Sequence, residues 1–94
     1  MDFEWDPKKA QSNRDKYGIS FESAAQILLK PTIESIDDSY SYGETRWRAL
    51  GEVQGTVLVV IYTEPNEQTI RLISAWKATA HDRRKYYEGL FGRS

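Results

Sequence analysis

Phe3 and Trp5 alternate with Asp2 and Glu4, the period of a short strand with one apolar face. Asp6 before Pro7 pairs an N-cap residue with proline at the first helical position, which predicts a helix starting at Pro7. That helix ends at Gly18, where glycine can take the left-handed conformation that closes a helix. Its apolar residues are mainly Ala10 and Tyr17, so it is expected to pack shallowly on the surface. Ser20 caps a second helix, in which Phe21, Ala24, Ala25 and Leu28 fall at i, i+3, i+4 and i+7, the spacing of one buried face. Pro31 stops it, and Ile33 and Ile36 suit a short edge segment. Asp37 to Gly43 is polar and rich in turn formers, and is expected to be the most mobile part of the domain.

Three strands follow. Thr45 to Val53 alternates, with Trp47, Ala49, Gly51 and Val53 on one face and Arg46, Arg48 and Leu50 on the other. Gln54-Gly55 is a tight hairpin signal. Thr56 to Glu64 contains the unbroken run Val57 to Tyr62, the mark of a central strand covered on both faces. Pro65 to Gln68 reads as a second hairpin loop. Thr69 to Lys77 alternates again, setting Ile70, Leu72, Ser74 and Trp76 against Arg71, Ile73, Ala75 and Lys77. Thr79 caps a last helix, with Asp82 completing a weak capping box. The elements sum to an α+β domain: two N-terminal helices, an antiparallel β-meander and a C-terminal helix, with helices mostly against one face of the sheet. The other face then presents Arg46, Arg48, Arg71 and Lys77 to solvent or to a ligand.

Composition narrows the class. Ninety-four residues make one domain, 1–94, and 39% hydrophobic content is too apolar for a disordered chain. With no cysteine there is no disulfide framework, thiolate metal site or Cys nucleophile. The run Val57 to Tyr62 is far below the roughly 18 residues of a membrane span, and the acidic N-terminus lacks the features of a signal peptide. A soluble, cytoplasmic domain with no membrane partner is expected. A net charge of −1 excludes a strongly basic protein, yet residues 1–44 sum to −4 and residues 45–94 to +3. The C-terminal half therefore offers a basic working surface. Arginines and lysine on a sheet, edged by a basic helix with tyrosines, suit a phosphate-bearing single strand, the cations taking phosphates and the aromatics stacking bases.

A set of residues spread along the chain carries a family resemblance. Phe3-Glu4-Trp5-Asp6-Pro7-Lys8-Lys9-Ala10, Asn13, Lys16-x-Gly18-Ile19-Ser20-Phe21-Glu22-x-Ala24, Gly43-Glu44-x-Arg46, Leu50-Gly51, Leu58-Val59-Val60-x-Tyr62-Thr63 and Ile70-Arg71-Leu72-Ile73-Ser74-Ala75-x-Lys77-Ala78 resemble the BrnT toxin family. The resemblance implies a RelE-like fold and a ribonuclease toxin of a type II toxin–antitoxin pair. It also implies a BrnA-like antitoxin that neutralises the toxin and binds promoter DNA through a ribbon-helix-helix region. The family residues it carries over are Glu44, Arg46, Arg71, Lys77 and Tyr87. Tyr17, Pro65 and Trp76 depart from the family, which usually has His at the first position and often has Arg at the other two.

RNA cleavage of the kind the resemblance implies needs no metal or other cofactor. The ribose 2′-OH attacks the adjacent phosphorus, and the protein positions the strand, neutralises the phosphorane and moves protons. Arginine suits the second task because its planar fork binds two phosphate oxygens and stays charged. Arg46 and Arg71 are the first candidates as phosphate clamps, with Arg48, Lys77, Arg83 and Arg84 as further RNA contacts. Tyr87 and Trp76 are candidate stacking residues; their plain alternative is a place in the core. Glu44 and His81, the one histidine, are the candidate acid–base groups. No Gly-rich phosphate loop and no Gly-x-Ser-x-Gly elbow occurs. A rival from another class is a non-catalytic module of the same fold that docks a partner for regulation.

Overall fold

The computed structural model describes residues 1–38 and 43–92. In chain order the elements are β1 (Asp2–Glu4), α1 (Pro7–Tyr17), α2 (Phe21–Ile27), β2 (Ile33–Ile36), β3 (Trp47–Val53), β4 (Thr56–Asn66), β5 (Thr69–Lys77) and α3 (Ala80–Phe91). The strands form one sheet in the order β1-β5-β4-β3-β2. The meander from β2 to β5 is antiparallel, and β1 adds to β5 in parallel. The class is the α+β one the sequence predicts. The polar loop expected at Asp37–Gly43 falls largely on residues 39–42, which lie outside the described residues.

The caps form as their chemistry requires. The Asp6, Ser20 and Thr79 side chains accept from the backbone N–H groups of Lys8, Ser23 and Asp82, each at a helix start. Gly18 closes α1 at φ +72°. In β4 every residue from Val57 to Thr63 is buried, as a central strand covered on both faces demands. Leu58, Val60 and Tyr62 pack under α2 with Phe21, Ala24 and Ile27. Val57, Val59 and Ile61 pack on the opposite side with Leu50, Ala78 and Tyr86. Gly51 allows α2 to approach β3, because a Cβ there would stand 2.7 Å from Cβ of Ile27.

Three features differ from the sequence pattern. First, α3 does not join the other helices; through Tyr86 and Leu90 it packs on the opposite sheet face, leaving only part of that face open. Second, β4 runs through Pro65 to Asn66 rather than ending at Glu64. Beyond Thr63 it pairs with β5 alone, so Pro65, which has no N–H to give, interrupts no central ladder. Third, β5 carries a bulge. Ile61 pairs with Ser74 but Tyr62 pairs with Leu72, which leaves Ile73 unmatched and shifts the alternation by one. Ala75 therefore joins Ile70 and Leu72 beneath the first two helices, and Ser74 and Trp76 turn to the face of Arg71.

The bulge also exposes an edge problem, which α1 solves. β1 pairs with β5 only over Thr69–Arg71, so the rest of β5 has a free edge. Asn13 occupies it as a substitute strand: its Oδ1 accepts from Ala75 N–H at 3.0 Å, and its Nδ2 donates to the carbonyls of Ala75 at 2.9 Å and Ile19 at 3.1 Å. Asn13 is the one buried residue of α1, in keeping with the shallow packing expected of that helix. Asn13→Ala leaves these buried groups unpaired. The expected loss is on the order of 2–4 kcal/mol, or roughly 10–20 °C in a thermal melt. A melt matching wild type would mean that the edge is not sealed by this side chain.

Candidate functional site

The face that α3 leaves partly open gathers three arginines. Arg48 on β3 pairs with Ile61, which pairs with Ser74; one step on, Thr63 pairs with Arg71, which pairs with Glu4 of β1. Arg46 lies one residue before β3, but its carbonyl still accepts from Asp37 N–H at 2.8 Å in continuation of the β2–β3 register, so the alternation extends to it and sets it on the face of Arg48. Ile61 and Thr63, both buried, form the floor beneath them. Thr63 is satisfied there, its hydroxyl donating to the Thr45 carbonyl at 2.8 Å. Sequence alternation places Ile73 and Ala75 beside Arg71; because of the bulge, Ala75 lies on the far side of the sheet.

Each arginine meets a carboxylate. Arg46 Nε stands 3.4 Å from Glu44, and Arg71 Nε stands 2.6 Å from Glu4 across a pair about half exposed on both sides. Arg48 Nη2 donates to Asp82 Oδ2 at 3.0 Å, and Asp82 is buried. The Thr79 hydroxyl donates to the same oxygen at 3.2 Å. Burial works to raise the Asp82 carboxyl, but the Arg48 hydrogen bond and charge, with Thr79, outweigh it and hold the group below its ordinary value. A carboxyl depressed by folding adds stability above the unfolded-chain value near 3.8, and that stability is lost as pH falls through the lower folded-state value. Thermal melts taken from about pH 5 to below about pH 3 should therefore fall more steeply for wild type than for Arg48→Met, which lacks the partner that depresses Asp82. Parallel curves would show that the pair does not set the acid limb.

The other candidates scatter. Lys77 pairs with Leu58 and lies on the opposite face, at a cavity of about 260 Å³ beside Arg14 and Ser20; the bulge separates it from Arg71. Tyr87 sits on α3, its hydroxyl donating to Glu52 at 3.3 Å and its ring stacked on Phe91. Glu52 is four residues along β3 from Arg48, roughly 13 Å away, so Tyr87 stands apart from the arginines. Arg83 donates to the Ala78 carbonyl at 3.1 Å, and Arg84 and His81 are exposed on α3. Trp76 is half-buried on the arginine face, in contact with the Tyr17 ring. Asp82, the anchor of Arg48, is legible in the sequence only as a capping residue. On the α2 side, the Tyr62 hydroxyl donates to Glu34 beside a cavity of about 510 Å³, and burial, with that carboxylate, pushes the phenol well above its ordinary value. Among the described residues no three His, Asp or Glu side chains cluster as metal ligands, and no helix is long and apolar enough to cross a membrane.

Residues 5–82, from the end of β1 into α3 and including all three arginines and Asp82, match the family described as the ribonuclease toxin BrnT of type II toxin–antitoxin systems. The chain belongs to the BrnT family. Arg83, Arg84 and Tyr87 fall beyond the segment that matches. The crystal structure of the Brucella abortus ribonuclease toxin BrnT, at 1.1 Å resolution, is similar over 84% of this chain and 97% of that one, with 25% identity and a TM-score of 0.64. No curated protein matches the chain. Membership of the BrnT family makes this chain a ribonuclease toxin by class and implies an antitoxin partner.

Proposed function

We propose that this chain is an endoribonuclease that cleaves single-stranded RNA on the arginine face without a metal, and that a BrnA-like antitoxin with a ribbon-helix-helix region holds it inactive in the cytoplasm. The observation that carries the reading is the convergence of Arg46, Arg48 and Arg71 over a floor of Ile61 and Thr63. A buried, solid floor whose one hydroxyl is already satisfied lowers the local dielectric and strengthens every phosphate contact above it. The Arg71–Glu4 pair is exposed, and such pairs add little stability, so a phosphate can take Glu4's place at small cost.

In the proposed reaction the 2′-oxygen forms a bond to phosphorus while the P–O5′ bond breaks. A base takes the 2′-OH proton, an acid protonates the leaving 5′-oxygen, and the products are a 2′,3′-cyclic phosphate and a 5′-hydroxyl. Arg46 and Arg71 neutralise the charge that grows on the non-bridging oxygens. Glu44, beside Arg46, is the proposed base. Arg48 is held by Asp82 and supports the strand rather than the reacting phosphate.

The departures at Tyr17, Pro65 and Trp76, and the exposed position of His81 in the first turn of α3, favour a second reading: a non-catalytic module that keeps the fold and docks a partner. Expression in a bacterial host separates the two. A nuclease arrests growth, and co-expression of the neighbouring partner gene relieves the arrest. Normal growth together with stable partner binding supports the second reading.

A further inference from the structure

α1 carries Lys9, Ser12, Asn13, Lys16 and Tyr17 at i, i+3, i+4, i+7 and i+8, one continuous stripe. A packed helix ordinarily keeps its apolar residues on such a stripe. Here the stripe faces β5, and Asn13 anchors it through its hydrogen bonds to Ala75. The rest wall a cavity of about 290 Å³ whose floor is Ile73 and Ser74, the bulged part of the strand. Among the described residues no carboxylate lines it. At its rim the Tyr17 ring, 39% exposed, meets the Trp76 ring at 5.8 Å, and Lys16 Nζ stands 5.2 Å from the Tyr17 centroid. Ser74 opens onto the face of Arg71, three residues and roughly 10 Å along the strand.

We propose that this cavity is a second nucleotide subsite of the RNA track, flanking the phosphate bound on the arginine face. The inference rests on the ribonuclease reading above. Two ammonium groups with no opposing carboxylate select an anion, and the rigid anchor at Asn13 holds them at a fixed distance from the strand. An aromatic pair at the rim offers a base a stacking surface, which any of the four bases can use. Lys9 and Lys16 take the flanking phosphate, the Ser12 and Ser74 hydroxyls face the sugar, and Tyr17 with Trp76 takes the base. The bulge at Ile73 is what opens this space: without it, Ser74 would point beneath the first two helices and the stripe would meet a flat strand.

The test uses the full chain and a 2′-O-methyl RNA hexamer, which binds but lacks the attacking hydroxyl. Binding is followed by fluorescence anisotropy over a range of salt, for wild type, Lys9→Ala/Lys16→Ala, Tyr17→Leu, Tyr17→Phe and Arg71→Ala, with a thermal melt of each. The lysine pair should weaken binding and lower the salt slope by about 1.4, roughly 0.7 for each ammonium group removed from a single-stranded phosphate backbone. Tyr17→Leu should weaken binding at least about fivefold, and Tyr17→Phe should bind as wild type, since the ring and not the hydroxyl does the stacking. Binding that depends on Arg71 but not on Lys9, Lys16 or Tyr17 overturns the subsite and leaves the ribonuclease reading standing. No binding by wild type overturns both. Loss of partner binding in the lysine pair, with hexamer binding intact, assigns the cavity to an acidic protein segment and overturns the subsite as well.

Discussion

Val59→Asp is expected to unfold the domain or bring it close to unfolding. Val59 has no exposed surface and lies mid-way along the central strand, paired with Leu50 on one side and Trp76 on the other. The new carboxylate would enter a cluster built from Leu50, Val57, Ile61, Ala78 and Tyr86, with Trp76 and Leu90 packed against it, in which no residue carries a positive charge. Burying an unpaired ionisable group costs several kcal/mol, against a total stability of about 5–15 kcal/mol for a domain of this kind. Ile36→Asp is the control, because Ile36 is 59% exposed on the edge strand and should shift stability by no more than about 0.5 kcal/mol. Circular-dichroism melts of both variants decide the point. A Val59→Asp melt like that of wild type would contradict the strand order and the two-sided core.

The second large effect is expected in catalysis. Arg71→Ala removes a guanidinium from a rigid strand beside the central one, and removing one such stabilising group from the transition state lowers rates by about 10²–10³. The melting temperature should hardly change, because its partner Glu4 is half exposed and is left in water rather than in the core. Arg71→Lys should restore only part of the rate, since an ammonium cannot bind two phosphate oxygens as the planar fork does. Arg48→Ala should behave differently. It leaves Asp82 buried without its cation, so stability falls along with activity. The contrast between the two variants separates a residue that handles RNA from one that also holds α3 to the sheet.

Much of the fold is legible in the sequence because it rests on local chemistry. Asp6, Ser20 and Thr79 announce the three helix starts, and the six-residue apolar run announces a strand buried on both sides. What periodicity cannot carry is a break in period. The bulge at Ile73 has no residue signature, yet it moves Ala75 and Lys77 to one face and Ser74 and Trp76 to the other. So Arg46, Arg48 and Arg71 come together while Lys77, expected with them, does not. The side chosen by α3 is likewise a tertiary matter, set by Tyr86 and Leu90 at a spacing of four along a helix whose other positions are mostly polar or charged. One signal is open to reading: Lys9, Ser12, Asn13, Lys16 and Tyr17 fall at helical spacing, a polar stripe where the only other guide, Ala10 and Tyr17, gives a thin apolar face. Asn13 as a surrogate strand is visible only once β1 is seen to stop at Glu4.

The most direct test is single-turnover cleavage of a single-stranded RNA by purified wild type and Arg71→Ala in the presence of a chelator, with the product ends identified. Wild type should cleave and leave 2′,3′-cyclic phosphate and 5′-hydroxyl ends, and Arg71→Ala should be slower by about 10²–10³ at an unchanged melting temperature. Cleavage by Arg71→Ala at the wild-type rate would contradict the arginine face as the site of reaction, and would turn attention to the basic residues of α3.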